Sequence, residues 1–338
     1  MYKLHEKMRL SYFGDGVYHV FNGRSKEHYK IGKTENDFLQ QLWKEKTFDE
    51  LLADNSFGIA ELDAYLKQIE NMNFFTKNIG VKIKFTKLYL FSFDTSKWKK
   101  NKLTVALERV LFSLFIGLML IFISVFLLEP DRFIGTFMVL HGMQLNWQEN
   151  IIIFIVVTML SYIIHELAHA LTAINSGIMV PEIGGVLYFF SPVGYADVTG
   201  LRFLNNKMGK YKILIAGLIT NIIIALASFF VTFLFGHNDF FQNLLYSNLL
   251  IMVFNLCYFL KLDGYYLLEV VLDEPGLREK SLIYIRKLLG LHKGTLPEIK
   301  IMDKFVYAAV GIISMLYLPL LFGNMIIRFA MFIWGRLA

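Results

Sequence analysis

The stretch SYIIHELAHALTA, residues 161–173, closes an apolar run that begins at residue 151. A run of about 20 apolar residues is long enough to cross a membrane as a helix. Ionisable side chains are costly inside such a helix and usually serve a function there. His165 and His169 are four residues apart, so a helix places both imidazoles on one face. The stretch therefore predicts a membrane helix that carries a polar site.

The composition of the whole chain agrees with a membrane protein. Of the 338 residues, 55% are hydrophobic and 18% are charged, and the mean hydropathy is +0.48. Soluble domains carry about 25% charged residues. A single cysteine excludes a disulfide scaffold and any zinc finger or iron–sulfur cluster built from several cysteines of this chain.

The positive charge of the chain has two interpretations. The formal net charge is +6, and four lysines cluster next to an apolar run at Lys97, Lys99, Lys100 and Lys102. We interpret this cluster as cytoplasmic juxtamembrane charge that meets the lipid bilayer, in preference to a nucleic-acid-binding patch. No signal peptide precedes the first long apolar run, so we expect residues 1–100 in the cytoplasm.

Three parts are predicted along the chain: a small cytoplasmic domain over 1–80, a linker with the basic cluster over 81–102, and a membrane-embedded domain over 103–338. A strand-like stretch occupies 81–93. Within the first part, the turn signal at 14–16 separates two short strands, 10–13 and 17–21, and a third strand follows at 28–31.

Three short helices complete the predicted N-terminal domain. Apolar residues recur at helical spacing from Phe38 and from Ile59. The pairs Thr34/Asp37 and Thr47/Glu50 resemble capping boxes, which mark helix starts. Strands followed by short helices predict an α+β, winged-helix-like domain.

The membrane part predicts a polytopic α-helical protein with about five to six membrane segments. The predicted spans are 103–128, 151–173, 211–235, 240–260 and 305–329, the last with Pro319 as a possible kink. A shorter apolar segment covers 133–145. Residues 175–203 are apolar but broken by glycine and proline, which is typical of a re-entrant hairpin buried against protein.

Lysine and arginine counts orient these spans. Cations concentrate at 97–102, at 202–212 and at 261–300, whereas the connections 129–150 and 236–239 contain few or none. By the positive-inside rule the cation-rich connections are cytoplasmic. The expectation is a multi-pass cell-membrane protein whose site opens toward the cytoplasm.

His165, Glu166 and His169 form the H-E-x-x-H pattern of zinc peptidases. Two imidazoles four residues apart can bind one Zn²⁺, and the adjacent carboxylate can act as a base toward water. Asp263, at the cytoplasmic end of the span 240–260, is the candidate third ligand at similar depth. A satisfied interhelical polar cluster and another divalent metal stay open as alternatives.

With these residues the chain resembles the site-2 protease family of intramembrane zinc metalloproteases. The matching motifs are His165–His169, AGLITN at 216–221, and Asn255 followed by LDG at 262–264. Leu218 stands where the family often has proline. Residues 195–198 are similar to a loop of the peptide-maturation branch. The resemblance covers about 103–275, and it implies one Zn²⁺ on His165, His169 and Asp263, with Glu166 as general base and acid.

The N-terminal part resembles a second family, the PqqD-like domains that bind leader peptides of ribosomally made, modified peptides. The resemblance lies in residues 17–21, 29–32 and 47–52. It implies a leader peptide added as an extra strand at a sheet edge. A domain used only for packing or dimer contacts is the alternative.

Together these features predict a zinc endopeptidase that cleaves a leader-bearing precursor peptide. Asn221, Asn255, Gly184, Gly185 and Tyr195 are the predicted substrate-binding residues. One alternative is regulated intramembrane proteolysis of a single-pass signalling protein, with a membrane peptide as substrate. The other is a non-catalytic transporter or immunity protein that holds zinc. The sequence makes no prediction of the oligomeric state.

Overall fold

The computed structural model of the chain describes residues 1–76, 87–142, 147–188, 191–258, 260–291 and 304–316. The chain forms two compact units, Met1–Leu245 and Tyr246–Ala338.

The first unit opens with an antiparallel three-stranded sheet whose strands follow one another in order. They are β1 (Met8–Gly14), β2 (Val17–Asn22) and β3 (Glu27–Ile31). Asp15 and Gly16 both adopt positive φ between β1 and β2, which is the geometry of a tight hairpin turn. The three predicted strands are therefore confirmed, each with slightly longer bounds.

Three helices follow the sheet: α1 (Lys33–Gln41), α2 (Phe48–Asp54) and α3 (Ile59–Asn71). Thr47 and Glu50 form the predicted capping box at the start of α2. The box predicted at Thr34 and Asp37 is wrong, because α1 begins earlier and its N-cap is Gly32, which has no side chain to accept a hydrogen bond.

The helices pack on one face of this sheet. Val20 of β2 pairs with Leu10 of β1 and Tyr29 of β3, and all three contact a core that includes Phe38 and Leu66. Strand residues alternate between faces, so the neighbours of these residues point to the other side of the sheet. The predicted small α+β fold of the N-terminal part is therefore confirmed.

A second three-stranded antiparallel sheet joins segments that are far apart in sequence. Its order is β4 (Lys87–Asp94), β5 (Glu182–Tyr188) and β6 (Ser191–Ala196). The predicted strand over 81–93 is confirmed from residue 87, and 81–86 lie outside the described residues. The predicted hairpin at 175–203 is a β-hairpin that takes β4, from the predicted linker, as its third strand.

The apolar helices of the first unit are α4 (Lys102–Leu128), α5 (Pro130–Gly142), α6 (Trp147–Asn175) and α7 (Lys207–Phe235). Among the described residues, three helices are long and apolar enough to cross a membrane: α4, the part Ile151–Asn175 of α6, and α7. Helix α7 is the most buried of the three and packs against α4, α5 and α6. A short 3-10 turn (Thr199–Phe203) links β6 to α7.

Helix α8 (Asp239–Asn255) runs from the first unit into the second, which then contains α9 (Asp263–Leu272), α10 (Leu277–Leu288) and α11 (Lys304–Leu316). The predicted span 240–260 ends too late, since α8 stops at Asn255 and has only 17 residues. The start of α9 packs against this end, since a Cβ on Gly264 would lie 2.7 Å from the carbonyl oxygen of Asn255. The predicted span 305–329 is helical over its described part, and 317–338, with Pro319, lie outside the described residues.

Candidate metal centre

The two histidines of the motif lie one turn apart on α6 and are almost completely buried, with exposures of 1% for His165 and 3% for His169. Their Nε2 atoms are 3.1 Å apart. The helical spacing predicted from the sequence therefore brings both imidazoles to a single point.

Helix α7 fixes the orientation of one ring. His169 Nδ1 donates to the carbonyl oxygen of Ile213 at 2.6 Å. A carbonyl can only accept, so the proton of a neutral His169 is on Nδ1 and its Nε2 carries a lone pair toward His165. Hydrogen bonds of this kind orient metal-ligating histidines.

Gly217 of α7 makes room for the pair. A Cβ on this residue would lie 2.4 Å from His169 Nε2 and 2.5 Å from His165 Nε2. The two Nε2 atoms thus lie around a small space that any side chain at position 217 would fill. The glycine is needed here for close approach, since its backbone is ordinary α-helix.

This cradle fits a metal ion. Two imidazoles that bind one tetrahedral Zn²⁺ at about 2.0–2.1 Å hold their nitrogens about 3.3 Å apart, close to the observed separation. At this distance His165 Nε2 can donate its proton to the lone pair of His169 Nε2, or both nitrogens can present lone pairs to a cation between them. The donor set and the glycine opposite it therefore suit a divalent cation.

Glu166 is half-buried beside the pair and lies under strand β6. A Cβ on Gly194 would be 2.9 Å from Cγ of Glu166 and 3.5 Å from the carbonyl oxygen of Tyr162. The backbone of β6 therefore rests directly on the turn of α6 that carries the carboxylate. The structure brings the motif glutamate and an extended strand together.

Asn221 lies one turn beyond Gly217 on α7, and residues four apart share a helix face. Its side chain is 1% exposed, and neither its Nδ2 nor its Oδ1 has a hydrogen-bond partner in the described part of the chain. A buried amide left in this way costs about 1–3 kcal/mol. Its free donor and acceptor suit the N–H and C=O of a bound peptide.

The other predicted residues of the hairpin have contacts within the protein. A Cβ on Gly184 would meet the backbone of β4 at Phe91, and one on Gly185 would meet the Phe91 ring. Tyr195 donates to Glu182 Oε1 at 3.0 Å. Burial raises the pKa of Tyr195, with the nearby Glu182 carboxylate as a further cause. Close strand packing explains both glycines, and their role in substrate binding stays a prediction.

Asp263 and Asn255 belong to the second unit. Asp263 is the first residue of α9, whereas the sequence placed it at the end of the preceding helix. A Cβ on Gly264 would lie 2.7 Å from the carbonyl oxygen of Asn255. The asparagine and the Asp-Gly pair are thus neighbours at the junction of α8 and α9, and Asn255 is buried.

Two residues of this centre were not given a role by the sequence. Gly217 was quoted only within a motif, and Gly194 only as a breaker of an apolar run. Each is a glycine in an apolar segment. This pattern indicates a close approach of the backbone to another element but not which element it is.

A scan of protein-family models, a search of curated proteins and a search of solved structures each return no match to this chain.

Proposed function

We propose that this protein is an intramembrane zinc endopeptidase that cleaves a small precursor peptide. The observation that carries the proposal is the convergence of two buried imidazoles on the Gly217 cradle, with Glu166 beside them under strand β6. The resemblance of the motifs to site-2 proteases supports the same conclusion.

Three residues of the chain would hold the ion: His165, His169 and Asp263, each of which offers one ligand atom. Two imidazole nitrogens and one carboxylate oxygen are a frequent ligand set of catalytic zinc, which keeps a further position open. When bound there, Zn²⁺ supplies the Lewis acidity that makes water a nucleophile at neutral pH.

Glu166 has the position of the general base and acid. Its carboxylate takes a proton as water attacks the scissile carbonyl and then passes a proton to the leaving nitrogen. The residue is next to His165 in sequence and touches the backbone of β6, so its side chain has little room to turn away.

The substrate would bind as an extended strand. In its sheet β6 is an end strand, and end strands can accept a further strand through their backbone groups. A peptide added there would pass next to Glu166. The buried amide of Asn221 provides one donor and one acceptor for its backbone.

The N-terminal domain is the proposed leader-binding module. Its three-stranded sheet and helices support this role, as does the resemblance to PqqD-like domains. Binding is best measured with the full chain, because one face of this sheet packs on residues that follow the hairpin (Gly200 and Phe203).

The test compares wild-type protein with Glu166→Gln, both purified in nanodiscs and loaded with zinc. We expect both to bind one zinc and only the wild type to cleave a precursor peptide, because the amide keeps the shape but cannot take the proton. In cells, mature peptide should disappear in the variant. If a truncated single-pass membrane protein disappears instead, the enzyme is a signalling protease.

If His165→Ala abolishes the function in cells and Glu166→Gln leaves it intact, catalysis is refuted. A non-catalytic protein that holds zinc is then favoured.

The third ligand is tested separately. Asp263→Ala should weaken zinc binding by about 10–100-fold or more, the range seen when metal sites lose supporting groups. Asp239→Ala is the matched control, since Asp239 is also the first residue of its helix and is exposed. Equal zinc affinities of the two variants would contradict the role of Asp263.

A further inference from the structure

The second face of the N-terminal sheet is covered by later residues of the same unit, at β4 and after β6. The face opposite the helical core includes Arg9, His19 and His28. Arg9 Nη2 donates to Asp94 Oδ2 at 2.6 Å, at the end of β4. His19 packs edge-on against Phe203, and a Cβ on Gly200 would lie 2.7 Å from its ring. The sheet is therefore packed on both sides.

A chain of hydrogen bonds crosses this contact. His28 Nε2 lies 2.9 Å from Asp197 Oδ2, and His19 Nε2 lies 2.7 Å from His28 Nδ1. A carboxylate only accepts, so His28 Nε2 is the donor, and in its neutral form Nδ1 accepts from His19. The side chains of His28 and Asp197 are only 2% and 10% exposed. The contact is thus a buried polar network.

Asp197 is held as an anion by this network. Burial alone would raise its pKa, but the hydrogen bonds from His28 and Thr199 outweigh burial and lower the pKa below its usual value. A buried carboxylate that loses its donor is strongly destabilised. The chain at Asp197 is therefore tied to His28.

Asp197 follows directly on β6. Gly194, which rests on Glu166, is three residues away, or about 10 Å along an extended chain. The Asp197 N–H also donates to the carbonyl of Glu182 at 2.9 Å. A second contact, Lys26 with the Glu182 carboxylate that accepts from Tyr195, fastens the same end of the hairpin to β2–β3.

We propose that His28 and Asp197 are positioning residues that hold β6 against Glu166, and that the N-terminal domain is thereby part of the catalytic unit. The assignment rests on the proposed endopeptidase function. Neither residue touches the reacting atoms. They act through the backbone of β6, which fixes both the Glu166 carboxylate and the edge along which a substrate strand would lie.

The experiment uses the full chain in nanodiscs and three variants. His28→Ala removes both hydrogen bonds. His28→Gln keeps an N–H that can donate to Asp197. Lys67→Ala, the matched control, breaks an exposed ion pair with Asp63 on α3 of the same domain. The readouts are zinc content, kcat and KM on the precursor peptide, and hydrogen exchange of residues 193–198.

We expect His28→Ala to lower kcat by about tenfold or more, since small misplacements of catalytic groups have effects of this order. Zinc content should stay at one ion, and exchange in residues 193–198 should become faster. His28→Gln should restore most of both properties, and Lys67→Ala should change neither.

Unchanged exchange in residues 193–198 of His28→Ala would overturn the proposal, as would a fall in kcat matched by Lys67→Ala. If the wild type cleaves no peptide, the endopeptidase assignment fails on its own, and the exchange data still decide whether His28 holds β6.

Discussion

Gly217→Ala is the substitution that tests the candidate metal centre most directly, because it removes no ligand. The new Cβ would lie 2.4 Å from His169 Nε2 and 2.5 Å from His165 Nε2. Ordinary contacts begin near 3.4 Å, so the overlap is about 1 Å with each ring. The methyl group would occupy the space on which both nitrogens converge.

The cost to folding is moderate. Overpacking of this kind costs about 1–3 kcal/mol, and alanine gains back about 0.5–1 kcal/mol over glycine inside a helix. We expect the variant to fold with slightly lower stability. Zinc affinity should fall about 100-fold or more, since the rings must rotate off the common point to make room.

Thermal unfolding with and without zinc measures this difference. A ligand present at 100 times its Kd stabilises a folded protein by about 2.7 kcal/mol. The wild type should show this gain and Gly217→Ala should not. Gly209→Ala is the control on the same helix, because its Cβ would make only ordinary van der Waals contacts, with Leu204 at 3.6 Å and Asn206 at 3.8 Å.

Equal stabilisation by zinc in Gly217→Ala and in the wild type would contradict a metal site at Gly217, since it would show that the metal binds elsewhere.

Three further predictions concern the strand, the docking contact and a helix cap. Gly194→Ala, whose Cβ would lie 2.9 Å from Glu166 Cγ, should lower kcat and leave zinc bound, while Gly117→Ala, which meets nothing within 4 Å, should change neither. Burial, and after it the neighbouring His28, lowers the pKa of His19 to about 4, while Asp197 has a weaker opposing effect. The folded state then binds fewer protons than the unfolded state, so stability should fall by about 3 kcal/mol as pH drops from 6.5 to 4. This fall should be absent from the unfolding free energies of His19→Gln over the same pH range. Thr47→Ala should cost about 1 kcal/mol of unfolding free energy by removing the α2 capping box, and a Thr47→Ser variant should retain it.

Local signals predicted most of the elements. The N-terminal strands follow from the turn at residues 14–16 and from alternation, and α4, α6 and α7 follow from long apolar composition. The end of α8 at Asn255 could not be predicted in this way. The apolar run continues past it, and the contact of α9 with the last turn of α8 leaves no local sequence pattern.

The pairing of β4 with β5 could not be predicted from the sequence either. Residues 87–94 and 182–188 are separated in sequence by the three helices α4, α5 and α6, and strand pairing over such a distance leaves no local sequence pattern. The linker prediction for 81–102 therefore missed that its strand completes the hairpin sheet.

At the candidate metal centre, residue spacing predicted which side chains share a face of α6. It did not predict which residues of other elements pack against that face. His165 and His169 share a face by helical periodicity alone. The roles of Gly217 and Gly194 depend on which helix or strand approaches α6. The contact of His28 with Asp197 joins residues 169 positions apart. The sequence shows only a histidine at a strand position that faces away from the core, and this does not indicate which residue it contacts.

The remaining choice is between a polar cluster that only joins helices and a site built for a ligand. A cluster that joins helices gains stability when its polar atoms satisfy one another. On α7 the buried hydroxyl of Thr220 is satisfied within its own helix, because it donates to the carbonyl of Ala216. Asn221, the next residue, does the opposite: it is buried, and the described residues offer no partner to either atom of its amide.

An amide left in that state costs about 1–3 kcal/mol, and a leucine of similar size would remove the cost. The arrangement is therefore better explained by a bound group that supplies both a donor and an acceptor. A peptide backbone does so, and Asn221 shares a helix face with the Gly217 cradle. Asn221→Leu should accordingly raise the stability of the protein without substrate, and should raise KM for the precursor peptide at unchanged zinc content. A variant that is less stable than the wild type and has an unchanged KM would show that Asn221 serves only the packing of the helices.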